Sequence, residues 1–328
     1  MRFRLLLRAC ALACAFAAGG LADAAAPSLV LEGYSDETGV ISVLHGGDSA
    51  DPYFAMQALL LAHDNGMDIT ATASKFADWL VVRQKPDGTF DRFCRNDAKK
   101  WNSCNTADAD DSLLALWLRL LETMPEKLSK NPVWLKSYAI SKASLERLLQ
   151  PSLGVYMVSP LILHGLFMDN LEVWSLKAQQ KSPAQRAEAS KLAQAIHKTF
   201  WIPADKHFMV STQLEQRAQA SAFYPNQVAQ IFPLLVDFPL LPAEVGPYYR
   251  SWMKAYRAQW LAHGKADYPW GLLAVLALRQ NDTASASCWL REATPLRHSS
   301  RWAVTDEASY QILTSKGLTS APKNALCG

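Results

Sequence analysis

In Asp110–Leu121, DDSLLALWLRLL, two acids open a run in which every later position but Ser112 and Arg119 is apolar. A surface helix carries one apolar stripe, whereas a helix that is apolar all round has to be surrounded by protein. The stretch therefore predicts a buried helix with an acidic first turn. The same design recurs outward along the chain: DPYFAMQALLLAH from Asp51, DNLEVWSL from Asp169, YPNQVAQIFPLL from Tyr224, YPWGLLAVLAL from Tyr268 and DEASYQIL from Asp306. Between these lie segments with Lys, Arg, Glu and Ser on one side, among them ITATASKFADWLVVRQ, PVWLKSYAISKASLERLL and GPYYRSWMKAYRAQWL, which belong on the outside. The buried openings are 59, 59, 55, 44 and 38 residues apart, one helix pair per period. Such an alternation predicts an all-α fold, an (α/α)6 toroid of six parallel inner helices and about six outer ones running back. All inner N-termini then share one rim, beside the positive ends of their dipoles.

The chain has 328 residues, 50% apolar and 19% charged, with 11 Trp, a balance that excludes disorder, collagen and coiled coil. Met1–Arg8 is basic, Leu5–Ala18 is apolar, and Ala22 and Ala24 stand at the spacing of a signal cleavage site. Residues 1–25 are read as a signal peptide and 26–328 as a single domain, periplasmic or secreted, with no stable membrane insertion. The net charge of +3 falls to about +1 once that segment is removed. No dense basic face remains for a nucleic acid. Cys94, Cys104, Cys288 and Cys327 form an even set in an oxidising compartment. A Cys94–Cys104 bridge would stiffen the polar segment between them, and Cys288 could hold the tail through Cys327. Without a C-x-x-C pair or H-x-x-x-H spacing, no metal and no cofactor is expected.

The rim residues carry the chemical signal. In TADADD, Asp108 and Asp111 are three apart and share a helix face, while Asp110 points about 100° from Asp111. Crowded carboxyls raise one another's pKa, which keeps one of them protonated near neutral pH. The alternative is that these acids, like Asp51 and Asp169, satisfy helix N-termini; Glu172 stands at capping-box spacing from Asp169. Tyr53, Trp174, Tyr224, Asn226, Tyr268 and Trp270 lie near the same rim. Tyr224 and Tyr268 each precede a proline, which starts the helix and leaves the ring outside it. The segment from Gln84, QKPDGTFDRFC, reads as a turn entering a long loop over the rim, with Arg92, Arg95 and Trp101 as a cleft wall.

This plan resembles the six-hairpin glycosidase superfamily, over the whole of residues 26–328. FMDN and the helix after it, Asp169–Leu176, are similar to the Asp-Asn opening of an inner helix in unsaturated glucuronyl hydrolases, where the Asp is general acid and base. GDSADPYFAM, from Gly47, is similar to the first inner helix of the cellulase and chitosanase toroids, where a Glu is the acid; this chain has Asp51 near that place. The resemblance implies a glycoside hydrolase acting on a polysaccharide or oligosaccharide, with two carboxyl groups flanking the scissile bond. Asp169 and one of Asp110 or Asp111 are the expected catalytic pair. Neighbouring parallel helices lie about 10 Å apart, which leaves room for a sugar and a water and favours inversion. Asp51, Tyr53, Asp108, Asn170, Glu172, Trp174, Tyr224, Asn226, Tyr268 and Trp270 are the expected substrate-binding residues. A uronic acid lyase or epimerase, working through a Tyr or His base, and a glycan-binding or secretion-associated toroid without activity stand as alternatives.

Overall fold

The computed structural model describes residues 25–179, 182–217 and 222–327; the expected signal segment falls almost wholly outside them. In chain order the elements that matter here are β1 (Ser49–Ala50), α1 (Pro52–Asp64), α2 (Thr70–Val81), β2 (Asp91–Arg95), β3 (Trp101–Thr106) and α3 (Asp110–Glu122). They continue with α4 (Pro125–Lys130), α5 (Pro132–Arg147), α6 (Phe167–Ala178), α7 (Pro183–Phe200) and α8 (Val228–Leu235). The chain ends through α9 (Val245–His263), α10 (Gly271–Arg279), α11 (Thr283–Ala293) and α12 (Val304–Ser315).

The inner ring is α1, α3, α6, α8, α10 and α12; each packs on the next and α12 closes against α1. These are the helices predicted to be buried, and their apolar residues form one continuous core. The outer helices are α2, α5, α7, α9 and α11, with the short α4 preceding α5. They start where the sequence provides for it: Pro132 and Pro183 stand at first helical positions, and Asn131 and Ser182 accept bonds from first-turn N–H groups.

The outer layer differs from the expectation at its sixth position. After α12 the tail contains Gly317 and Pro322 and forms no helix among the described residues. The N-terminal segment flanks α12 instead. The Val30 N–H donates to Gln311 Oε1 of α12 at 2.9 Å and its carbonyl accepts from Gln311 Nε2 at 2.6 Å, and Leu29, Leu31, Tyr34, Val40 and Ile41 are buried. Cys327 is bonded to Cys288 of α11, which holds the tail against the wall.

The long loop after α2 is also different. It is a hairpin, β2 pairing antiparallel with β3 and β1 adding a third strand, with an irregular register between Arg92 and Phe93. Cys94 and Cys104 are joined across it. The strands DRFCR and WNSCNT lack the apolar alternation of a half-buried strand, because most of β3 faces water.

Candidate functional site

A cavity of about 360 Å³ opens at the N-terminal end of the inner ring. Every inner helix contributes to its wall, and five carboxylic acids face it: Asp51, Asp108, Asp169, Asp267 and Asp306. Arg92 on β2 is the one basic residue of the lining; its Nε donates to Asp51 at 2.8 Å and its other arm reaches Asp108. The hairpin thus delivers a cation to the rim. Asp51 also accepts from the Tyr53 N–H at 3.0 Å, so the same carboxylate starts α1 and holds the hairpin. Burial nevertheless raises its pKa, against the pull of Arg92.

At the centre of the site Asp169, in the first turn of α6, neighbours Asp111, in the first turn of α3 and fully buried, closely enough for its charge to act on Asp111. Oδ2 of Asp169 meets no N–H or O–H donor among the described residues, and the Asp111 carboxyl has beside it, as donors, only the backbone N–H groups of its own turn. Carboxyls crowded in a buried place favour a protonated form. Burial pushes Asp169 up to about 7, with Asp108 raising it further and the Asp111 carboxyl holding it down. Burial and the charge of Asp169 push Asp111 well above the carboxylate range. Behind them Glu172 is raised to about 8 by burial and by Asp169, even though the Tyr53 hydroxyl donates to it at 2.8 Å. On the far side, burial takes Asp306 to about 7; it accepts from the Gly271 N–H at 2.8 Å and the Ala303 N–H at 3.2 Å.

Aromatic rings complete the wall. Tyr224 is 52% exposed and lies 5.2 Å from Trp270, centroid to centroid, with the planes tilted by 31°. Trp270 holds φ of 54°, a left-handed conformation uncommon for a bulky residue, immediately before α10. Tyr53, Phe54 and Tyr268 line the opposite side. A Cβ on Gly271 would come within 2.6 Å of Ser309, so a side chain is excluded where α10 meets α12.

Asp51, Tyr53, Asp108, Asp169, Tyr224, Tyr268 and Trp270 therefore meet at one cavity, as the convergence of inner N-termini requires. Others of the expected set do not. Asp111 is fully buried and is not among the residues that line the cavity, whereas Asp169 is. Asp110 is half-buried outside the lining, in the field of Lys85, Asp87 and Asp91. Asn170 is fully buried and clamps the backbone of Tyr156, accepting from its N–H at 2.7 Å and donating to its carbonyl at 2.9 Å. Trp174 is 7% exposed and packs edge-on against Phe238 in the core. Glu172 is covered by Tyr53, and Asn226 faces a separate groove on the outer wall. The helix turns about 100° per residue, so neighbours of a rim acid point elsewhere. Gln57, Asp267, Thr305 and Asp306 line the cavity although the sequence reading left them out of its set; for Asp306, position in the first turn of an inner helix was the available signal.

A larger cavity of about 660 Å³ lies in the outer wall between α5 and α7. Its Glu146 is paired with Lys177 at 2.7 Å, and it holds no crowded carboxyls.

No family model matches the chain, and no curated protein matches it in sequence. Among solved structures the chain is similar to a reducing end xylose-releasing exo-oligoxylanase, with a TM-score of 0.55 and 15% identity over 88% of this chain and 87% of that one, a likeness of fold.

Proposed function

We propose that the protein is a secreted or periplasmic glycoside hydrolase that cleaves a neutral or cationic oligosaccharide or polysaccharide. The observation that carries this reading is the crowding of Asp111, Asp169 and Glu172, carboxyls raised by burial and by one another's charge, which opens through Asp169 onto an aromatic-walled cavity. A group near 7 is matched to proton transfer at neutral pH. Asp169 gives its proton to the glycosidic oxygen as the C–O bond breaks; a water attacks the anomeric carbon and passes its own proton to Asp108, which Arg92 holds in place. Asp111 is the positioning residue that keeps Asp169 supplied and oriented. Tyr224 and Trp270 supply the ring faces on which sugar C–H groups stack. That a toroid of similar fold is an exo-oligoxylanase agrees with this reading.

The charge of the cleft bears on the substrate. Five acids against one arginine repel a uronate, which disfavours a uronic polymer. The lyase alternative also lacks a base, since Tyr53, Tyr224 and Tyr268 are all shifted upward by burial and by neighbouring carboxylates. The decisive experiment is a reducing-sugar assay on xylo-, cello- and chito-oligosaccharides and on deacetylated and uronic polymers. Release of reducing ends from a neutral or cationic substrate, abolished in Asp169→Asn, supports the hydrolase. Binding without release supports the inactive toroid.

A further inference from the structure

We propose that the groove between the start of α8, the hairpin at residues 201–208 and helix α9 is a second glycan site, which holds a short stretch of neutral polysaccharide outside the cleft. The class of ligand rests on the glycosidase reading; the groove itself rests on its own geometry.

Tyr248, Trp252 and Tyr256 lie one turn apart on α9, so their rings climb one face of the helix in steps of about 6 Å. Trp252 is the floor, buried and fixed by an Nε1–H bond to the Gln227 carbonyl at 2.8 Å. Tyr256 leans on it with centroids 5.6 Å apart, and the Tyr248 hydroxyl is bonded to the Gln230 carbonyl. All three side chains line a cavity of about 320 Å³. That volume lies at the lower end of the range for small-molecule sites.

Asn226 supplies the second observation. Its Oδ1 is buried on this groove and meets no donor among the described residues, although a buried acceptor left alone is costly. A ligand hydroxyl would satisfy it. Asp205, Lys206 and His207 stand along the same edge, with both signs of charge, so nothing selects a polyanion. Rings for C–H faces and a lone amide acceptor for a hydroxyl are what a sugar presents a use for, and an apolar peptide does not.

Asn226 is two residues from Tyr224, so the groove and the cleft lie on opposite sides of one turn of chain. A polymer held in the groove stays near the cleft at raised effective concentration, while an oligosaccharide too short to reach both gains nothing.

The test is affinity electrophoresis in native gels containing xylan, hydroxyethyl cellulose or mixed-linkage β-glucan, with Asp169→Asn present throughout to prevent digestion. Tyr256→Ala removes a ring, and Ser251→Arg fills the groove from an exposed position. Retardation by at least one polymer, weakened fivefold or more in both variants, is expected. With Asp169 restored, neither variant should change the rate on a tetrasaccharide. Retardation of either variant as strong as that of the parent protein, or no retardation of the parent in any of the three gels, overturns the proposal. A protein that is retarded in this way but releases no reducing ends sinks the hydrolase reading and leaves the groove in place.

Discussion

The Tyr53 hydroxyl donates to Glu172 Oε1 at 2.8 Å, joining the first inner helix to the third and passing behind the acids of the second. Gln57 donates in turn to that hydroxyl at 3.1 Å. This chain of bonds backs the Asp111–Asp169 pair and leaves Glu172 Oε2 without a donor. A hydrogen bond from Tyr53 favours the ionised form of Glu172, so its value depends on pH. Tyr53→Phe should destabilise the protein by about 1–2 kcal/mol above pH 8 and by less at pH 5, where Glu172 is protonated in either protein. Urea unfolding at the two pH values checks this; an equal loss at both would show that the bond does not bear on Glu172.

Asp169→Asn should lower turnover by about 10²–10⁴, the range of a lost proton-transfer group. Folding should survive, because Asp169 stands in the first turn of α6 without capping it and the exchange preserves shape. It also removes one charge from a crowded group of buried carboxyls. The melting temperature at pH 8 should therefore equal or exceed that of the unaltered protein. A melting temperature several degrees lower would assign Asp169 to structure.

Stability should fall as pH rises from about 5 to 8. Asp169 and Asp306 titrate near 7 and Glu172 near 8 in the folded chain, above the ordinary value of about 4. For an acid raised by folding, the folded state binds more protons across the interval, so its contribution is full below the unfolded value and is lost as pH passes the folded value. Glu307, held below its ordinary value by Arg297 and other bonds, works the other way and loses its contribution in acid. Thermal melts should peak near pH 5. Glu172→Gln should flatten the fall between pH 5 and 8, and an unchanged slope would remove Glu172 from the account.

Arg92→Met should destabilise the protein by about 1–3 kcal/mol, less than the loss of a wholly buried pair because Asp108 is largely exposed to water. It leaves the buried Asp51 with only the Tyr53 N–H as donor. Lysine should restore only part, since one ammonium cannot span two carboxylates as the guanidinium does. Chemical denaturation of the three proteins, with KM measured beside it, separates loss of the wall from loss of the fold.

Much of the ring was legible because its information is local. Asp110–Leu121 announces burial by having no polar face, and Tyr224 and Tyr268 announce the rim by standing before proline. Which acid faces inward is a matter of helix phase, and phase is set by packing that a motif does not record. Asp169 reaches the cavity while Asn170, 100° away, reaches the Tyr156 backbone. Asp110 and Asp111 divide in the same way. The hairpin was invisible for another reason: β3 is exposed and polar, so its pairing with β2 rests on backbone bonds and a disulfide, neither of which leaves an alternating pattern.

The seam between α12 and α1 joins parts of the ring that are far apart in sequence: the sixth inner helix seats against the first, and Val30 pairs with Gln311 across 281 positions. Until α12 is in place the ring is an open arc. Contacts this distant in sequence form slowly and leave intermediates prone to association. The two ends of the wall also lie side by side. A permuted chain, opened in the connection between α6 and α7 and joined across the old seam, would move the gap to another spoke and let α12 and α1 fold as sequence neighbours.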